Sequence, residues 1–265
     1  MKRKRHIRIL LFLIAVICGC LVIPVYNYYA PASERTVYTC KQHQDDTLRV
    51  AMIGDSWVFL HYPYNDTLEN LISQKAGRPA KVSAYGQCGK TSKEVYYSLF
   101  NDQTMQALMK QGSDYCFISV GINDTYKKMG ARYYAQSTAY ILRFLLQNNI
   151  KPILLEIPDY DINNAYEHQT TSKKLLRQLS MLVTCSQMDC REEYRQALML
   201  QLRELGIENE ISILRIPYSM EYYNADRMHL NAKGYQLLDS CICECLLKQN
   251  RNTTLSYFFF VPLHP

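Results

Sequence analysis

The chain has 265 residues, 48% of them hydrophobic and 20% charged, with only ten glycines and nine prolines. That composition excludes a disordered, collagen-like or linker-type protein, and a chain of this size can bury about 70% of its extended surface around one core. The formal charge is +6, but Lys2, Arg3, Lys4, Arg5 and Arg8 supply five of those charges. The remainder is nearly neutral, so the basic balance gives no reason to expect a nucleic-acid partner.

Behind the basic head, residues 9–25 form an uncharged run that ends near Tyr26, Tyr28 and Tyr29. Seventeen apolar residues lie at the short end of a membrane-spanning helix, and tyrosines suit its interface. Positive charge on the amino side predicts that everything after Tyr26 lies outside the cytoplasm. Residues 1–30 are therefore expected to be an uncleaved signal anchor. Ile17-Cys-Gly-Cys20 leaves a lipoprotein open, with Cys20 lipidated, although the run stays apolar past that cysteine.

Residues 31–47 are polar and mixed and read as a stalk. Short apolar runs then alternate with helical patterns. Leu48–Ile53 predicts a strand that stops at Gly54, and Leu68, Leu71 and Ile72 a short helix. Lys81–Tyr85 predicts a second strand stopping at Gly86. Val95, Leu99 and Phe100, then Met105, Leu108 and Met109, give helical faces broken at Asn101-Asp102. Tyr115–Val120 is a strand ending at Gly121. Tyr133–Gln147 is helical, and Pro152–Ile157 is a strand closed by Pro158. Residues 167–205 form helix in two pieces that break near Cys185. Ile211–Ile216 is the last strand, and Asn231 can cap a final helix reaching about Lys248.

Runs of this length with little alternation, separated by helices, predict a parallel sheet covered on both faces. The expectation is one α/β domain over residues 48–248, a three-layer α/β/α sandwich with a five-stranded parallel sheet and right-handed crossovers. The tail, residues 249–265, contains Phe258-Phe-Phe-Val261 and does not fit this pattern.

In open parallel sheets, sites form beyond the carboxyl ends of the strands. Those positions hold Gly54-Asp-Ser56, Gly86, Gly121-Ile-Asn-Asp124 and Asp226-Arg-Met-His229. The four blocks, in this order and each after a strand, resemble those of the SGNH hydrolases, the GDSL-type lipases and esterases, across residues 48–248. The resemblance implies the flavodoxin-like fold of that family and a serine-dependent carboxylic ester hydrolase. Ser56 would be the nucleophile and His229 its base, with Asp226 fixing the tautomer. The Ser56 and Gly86 backbone N–H groups and the Asn123 side-chain amide would form the oxyanion hole. Asp55 and Asp124 are expected to brace their loops. No metal or organic cofactor is called for.

This sequence departs from the family pattern at Trp57, where the family name has leucine. The indole suits core packing or a flat wall beside the substrate. His61, one helical turn further on, is the nearest rival to His229, and Cys88 is a rival nucleophile without an obvious base. Twenty-two tyrosines are unusual. Tyr126, Tyr133, Tyr134, Tyr218, Tyr222 and Tyr223 fall in or near the post-strand loops and suit either packing or a carbohydrate surface.

Of ten cysteines, Cys185 with Cys190 and Cys40 with Cys88 are permissible disulfide pairs. Cys241-x-Cys-x-Cys245 lies in a helical pattern and reads as small core residues rather than a zinc site. Asn123-Asp-Thr125 is formally a glycosylation sequon, and a glycan there would block the implied oxyanion hole. That favours a bacterial envelope over a eukaryotic secretory route.

Taken together, the expectation is an outward-facing, membrane-anchored esterase. Its partner would be a short acyl ester, such as acetyl, on a glycan or envelope polymer, or another small ester. An O-acyltransferase on the same scaffold and a non-catalytic envelope binding or assembly protein are the alternatives.

Overall fold

The computed structural model describes residues 16, 19–20, 22–167, 169–251 and 258–259. The apolar run read as an anchor therefore lies largely outside the described residues. Among the described residues no helix is long and apolar enough to cross a membrane.

Strands β1 (Leu48–Gly54), β2 (Ala80–Gly86), β3 (Tyr115–Ser119), β4 (Lys151–Leu155) and β5 (Ser212–Arg215) form a parallel sheet in the order β2-β1-β3-β4-β5. The helices between them are α1 (Ser56–His61), α2 (Asn65–Ala76), α3 (Ser92–Asn101), α4 (Gln103–Lys110), α5 (Ile122–Lys127) and α6 (Ala131–Gln147). They continue with α7 (Ile162–Glu167), α8 (Thr171–Thr184) and α9 (Arg191–Glu204), and α10 (Ala232–Arg251) closes the domain.

Successive strand residues feed opposite faces. Ala51, Ile53, Cys116, Ile118 and Leu154 join a core with α3, α4, α6 and α9, whereas Val50, Met52, Phe117, Ile153 and Leu155 join one with α2 and α10. Both faces are thus covered, which explains why the strands read as continuous apolar runs. The predicted α/β/α sandwich is the observed one.

The break between α3 and α4 is a capping event: the Asp102 carboxylate accepts from the Thr104 and Met105 N–H groups at 2.9 and 3.0 Å. The break after α8 falls at Cys185, whose φ of 54° is left-handed. Asn231 caps α10, its Oδ1 accepting from the Gly234 N–H at 3.1 Å.

Three expectations need correcting. Residues 31–47 are no free stalk. The Ala32 N–H donates to Ser137 Oγ (3.2 Å), the Arg35 N–H to the Tyr96 hydroxyl (2.8 Å) and the Cys40 N–H to Asn148 Oδ1 (2.6 Å), with Ala32 and Cys40 buried. Partners more than sixty residues away turn a polar segment into a strap across α3 and α6. In the tail, Phe258–Phe259 adds a short sixth strand, β6, pairing parallel with Leu214 and Arg215. The disulfide pairs do not form. Cys40, Cys88, Cys185 and Cys190 are all free, and Cys190 Sγ instead lies 3.6 Å from the buried Lys128 ammonium. Cys241, Cys243 and Cys245 are all buried in the core around α10.

Candidate active site

The site is assembled at the carboxyl edge of the sheet by three short, over-determined turns. The first joins β1 to α1. Asp55 is fully buried, and its Oδ1 accepts from the Trp57 N–H at 3.0 Å and from Ser119 Oγ at 3.3 Å. This N-cap holds Ser56 as the first residue of α1, 7% exposed.

The second turn carries His229. The Asp226 Oδ1 accepts from the Met228 and His229 backbone N–H groups, both at 3.0 Å, and Arg227 takes a left-handed φ of 53°. The loop is closed from both ends, by the Arg227 N–H on the Asn224 carbonyl and the Asn224 N–H on the His229 carbonyl, each 2.8 Å. The free Asp226 Oδ2 then lies 2.6 Å from His229 Nδ1, and His229 Nε2 lies 2.9 Å from Ser56 Oγ. A carboxylate, an imidazole and a hydroxyl stand in line, across 173 residues of sequence. Burial pushes the Asp226 pKa up, but the hydrogen bonds from His229 and Met228 outweigh it and hold the carboxyl below its usual range. Asp226 stays ionised and suited to orient the imidazole, which leaves Nε2 free to take the serine proton.

Gly86 ends β2 in register with Gly54. The next residue, Gln87, donates its N–H to the Gly54 carbonyl (2.9 Å), so alternation along the ladder turns the Gly86 N–H away from β1. A Cβ at Gly86 would come 2.1 Å from the Phe59 nitrogen and 2.7 Å from the Asp55 carbonyl oxygen. Only glycine lets β2 approach the serine turn so closely. Asn123 lies in the first turn of α5, after Gly121 at φ 109°. Its amide donates to the Lys90 carbonyl at 3.0 Å and reaches Asp55 Oδ2 at 3.5 Å. The asparagine loop and the serine turn therefore share one carboxylate.

Asp124 points the other way and fastens α5 to α3. Ser92 Oγ donates to its Oδ1 at 2.5 Å and the Ser92 N–H to its Oδ2 at 2.9 Å. Burial pushes Asp55 up to about 7 and Asp124 up to about 6, against the hydrogen bonds each receives.

His61, the rival base, is turned away from Ser56. It is fully buried, with Nε2 2.6 Å from Asp239 Oδ1 on α10 and Nδ1 2.9 Å from Asn65 Oδ1. Trp57 does more than pack. Its indole N–H donates to the Met228 carbonyl at 3.1 Å, tying α1 to the histidine loop, while the Tyr235 hydroxyl donates to the Trp57 carbonyl at 3.1 Å.

Most of the tyrosines belong to the core. Tyr133, Tyr134 and Tyr223 are buried, and Tyr126 and Tyr222 partly so. Tyr218 is 40% exposed and packs at 5.1 Å on Tyr223, the ring beside Trp57.

Sequence reasoning did not find the bracing groups Ser92 and Ser119, or the contact of Asn164 Nδ2 with the Asp226 carbonyl at 3.2 Å. Serine in a strand or a helix start carries no signal of its own; its role comes from a distant carboxylate. The indole following the serine was the one available signal for the tie to the histidine loop.

No protein-family model matches the chain, and no curated protein does. Solved structures do. A GDSL-like lipase from Bacteroides thetaiotaomicron superposes with a TM-score of 0.51 at 14% identity, covering 76% of this chain and 88% of that one. A lipase from a goat rumen metagenome gives 0.51 at 13% identity, covering 75% and 97%. A candidate SGNH hydrolase from Slackia heliotrinireducens gives 0.50 at 16% identity, covering 76% and 100%. Identities this low speak to the backbone alone, and they speak consistently. The chain has the fold of the SGNH hydrolases.

Proposed function

We propose that the chain is a serine-dependent carboxylic ester hydrolase acting through an acyl-enzyme on Ser56. The observation that carries this reading is the line Asp226–His229–Ser56, at 2.6 and 2.9 Å, open to solvent on the histidine side. The histidine side chain is 27% exposed.

In this mechanism His229 Nε2 takes the Ser56 proton as Oγ attacks the ester carbonyl. The developing oxyanion is met by the backbone N–H groups of Ser56 and Gly86 and by the Asn123 amide. The alcohol leaves with the proton from His229. Water then loses a proton to His229 and attacks the acyl carbon, and the imidazole returns that proton to Ser56 Oγ.

The substrate we infer is a short acyl ester, acetyl foremost, on a glycan or envelope polymer. Tyr218 offers an exposed ring packed on Tyr223, which packs against Trp57 next to the serine. The basic head and uncharged run 9–25 support a membrane anchor with the domain on the outer side of a bacterial membrane.

The test is turnover of p-nitrophenyl acetate by the full-length chain in detergent, beside Ser56→Ala. Loss of turnover in the variant is expected; equal rates would overturn the assignment of the nucleophile. Release of acetate from acetylated glycans, with and without an acceptor hydroxyl, then reads substrate class and separates hydrolysis from transfer.

A further inference from the structure

Helix α8 is built inside out. Its buried positions are Arg177 and Ser180, whereas Leu175, Leu176, Leu179, Leu182 and Val183 are 57%, 59%, 51%, 77% and 54% exposed. Spacings of one, four, seven and eight residues place those five on a single stripe of roughly 120°. A surface helix of a soluble domain turns such a stripe inward. Here the inward side is polar by construction: the Arg177 guanidinium donates to the Tyr126 carbonyl and Gln169 Oε1 and stacks on the Tyr166 ring, 3.2 Å from its centroid. The outward side is left more than half exposed.

The stripe does not stand alone. Residues 22–29 are helical and lie beside it, with the Tyr29 hydroxyl 2.6 Å from Ser180 Oγ. Lys93 Nζ donates to the Asn27 and Ala30 carbonyls at 2.8 and 2.7 Å, fastening the same segment to α3. Tyr28 shares a cavity of about 240 Å³ with Leu176, and Val25 and Tyr26 share one of about 850 Å³ with Val183. Val22, Ile23 and Tyr26 are themselves 62%, 61% and 70% exposed. The two apolar surfaces stand side by side, with cavities between them that also carry Lys127, Arg177, Arg132, Glu193 and Glu204. In the sequence, residues 22–29 contain the end of the uncharged run that begins at Ile9 behind five basic residues. Lys173 and Lys174 are exposed in the first turn of α8, on the polar side of the helix that Arg177 and Ser180 share.

We propose that α8 is a membrane-surface helix, which lays Leu175, Leu176, Leu179, Leu182 and Val183 into the interface of the bilayer that receives the N-terminal run. This rests on reading residues 1–30 as a membrane anchor, and it adds a second, independent attachment. A helix with an exposed apolar stripe on one side and exposed lysines on the other has the chemistry of an interfacial helix on an anionic lipid surface. Continuity with the anchor selects the bilayer over other occupants. Helix α7, which precedes α8 in the chain, touches the loop that carries His229 through Asn164 Nδ2 and the Asp226 carbonyl. Substrate would then be taken from material presented close to the membrane.

The chain has a single tryptophan, Trp57, which is 1% exposed, so a second one can report on depth. Full-length Leu182→Trp is reconstituted into phosphatidylcholine–phosphatidylglycerol vesicles with and without bromine at acyl carbons 6 and 7. Position 182 faces solvent and tolerates the change. The added emission is expected to fall by roughly half or more in the brominated vesicles, while the unmodified chain changes little. A chain that floats with the vesicles but keeps its L182W emission overturns the docking and leaves the anchor standing. A blue-shifted L182W emission indifferent to bromine assigns the stripe to a protein contact, a second copy or the chain's own N-terminal run, and overturns it equally. A chain that fails to float overturns the anchor and this inference with it.

Discussion

Two histidine–carboxylate pairs occur in this molecule at the same distance. His229 and Asp226 meet at 2.6 Å at the edge of the sheet; His61 and Asp239 meet at 2.6 Å inside it. The difference lies in what the second ring nitrogen finds. In the first pair Nε2 faces a hydroxyl at 2.9 Å and solvent, and in the second Nδ1 faces the Asn65 carboxamide in a closed pocket between Tyr64 and Tyr235. A proton accepted by His61 would have nowhere to come from and nowhere to go. Short contact alone therefore does not make a base; access and a third group do.

The largest effects should separate the two pairs by activity. Ser56→Ala and His229→Ala are each expected to lower kcat on p-nitrophenyl acetate by about 10⁴-fold or more, with little change in unfolding midpoint. Asp226→Asn should cost roughly 10²- to 10⁴-fold, since the amide can no longer hold the imidazole in the tautomer that leaves Nε2 free. His61→Ala should do the reverse. It strands a buried Asp239 and is expected to lower stability by about 1–3 kcal/mol in urea unfolding, while the folded fraction keeps its kcat and pH profile. An H61A variant as inactive as H229A would break the comparison.

A smaller effect sharpens it. Trp57→Phe keeps an aromatic ring, though a smaller one, but removes the donor to the Met228 carbonyl, so the histidine loop loses one tie. We expect kcat to fall roughly 3- to 10-fold with KM nearly unchanged and stability down about 1 kcal/mol.

The buried carboxylates predict a pH dependence of stability. Asp55 and Asp124 are raised to about 7 and about 6 from 3.8, so between those values the folded chain holds protons that the unfolded chain has released. Stability from these two groups is complete below the unfolded value and declines as pH rises to about 7. Urea unfolding at pH 5 and pH 8 should show that fall, and Asp55→Asn should flatten it. A slope of opposite sign would show that these carboxyls are ionised in the folded state across the range.

What could be read from the sequence was what is local. The strands stop at or just before Gly54, Gly86 and Gly121 because a turn must follow there, and the candidate site residues Ser56, Gly86 and Asn123 lie at those stops. Cys185 marked the end of α8, although its left-handed φ was not readable in the residue itself. What could not be read depends on partners far along the chain. His61 looked like any histidine one turn after a serine until Asp239, 178 residues later, enclosed it. Residues 31–47 looked like a stalk because their partners, Tyr96, Ser137 and Asn148, carry no mark of that role. Phe258–Phe259 has too short a run to announce a strand, and β5 supplies the edge that makes it one.

The most direct test of the central claim is covalent labelling by an alkyl fluorophosphonate, followed by intact mass and peptide mapping. One adduct is expected, on Ser56, absent in S56A, strongly slowed in H229A and formed at the normal rate in H61A. An adduct on any other residue, or equal rates in H229A and the unmodified chain, would contradict it.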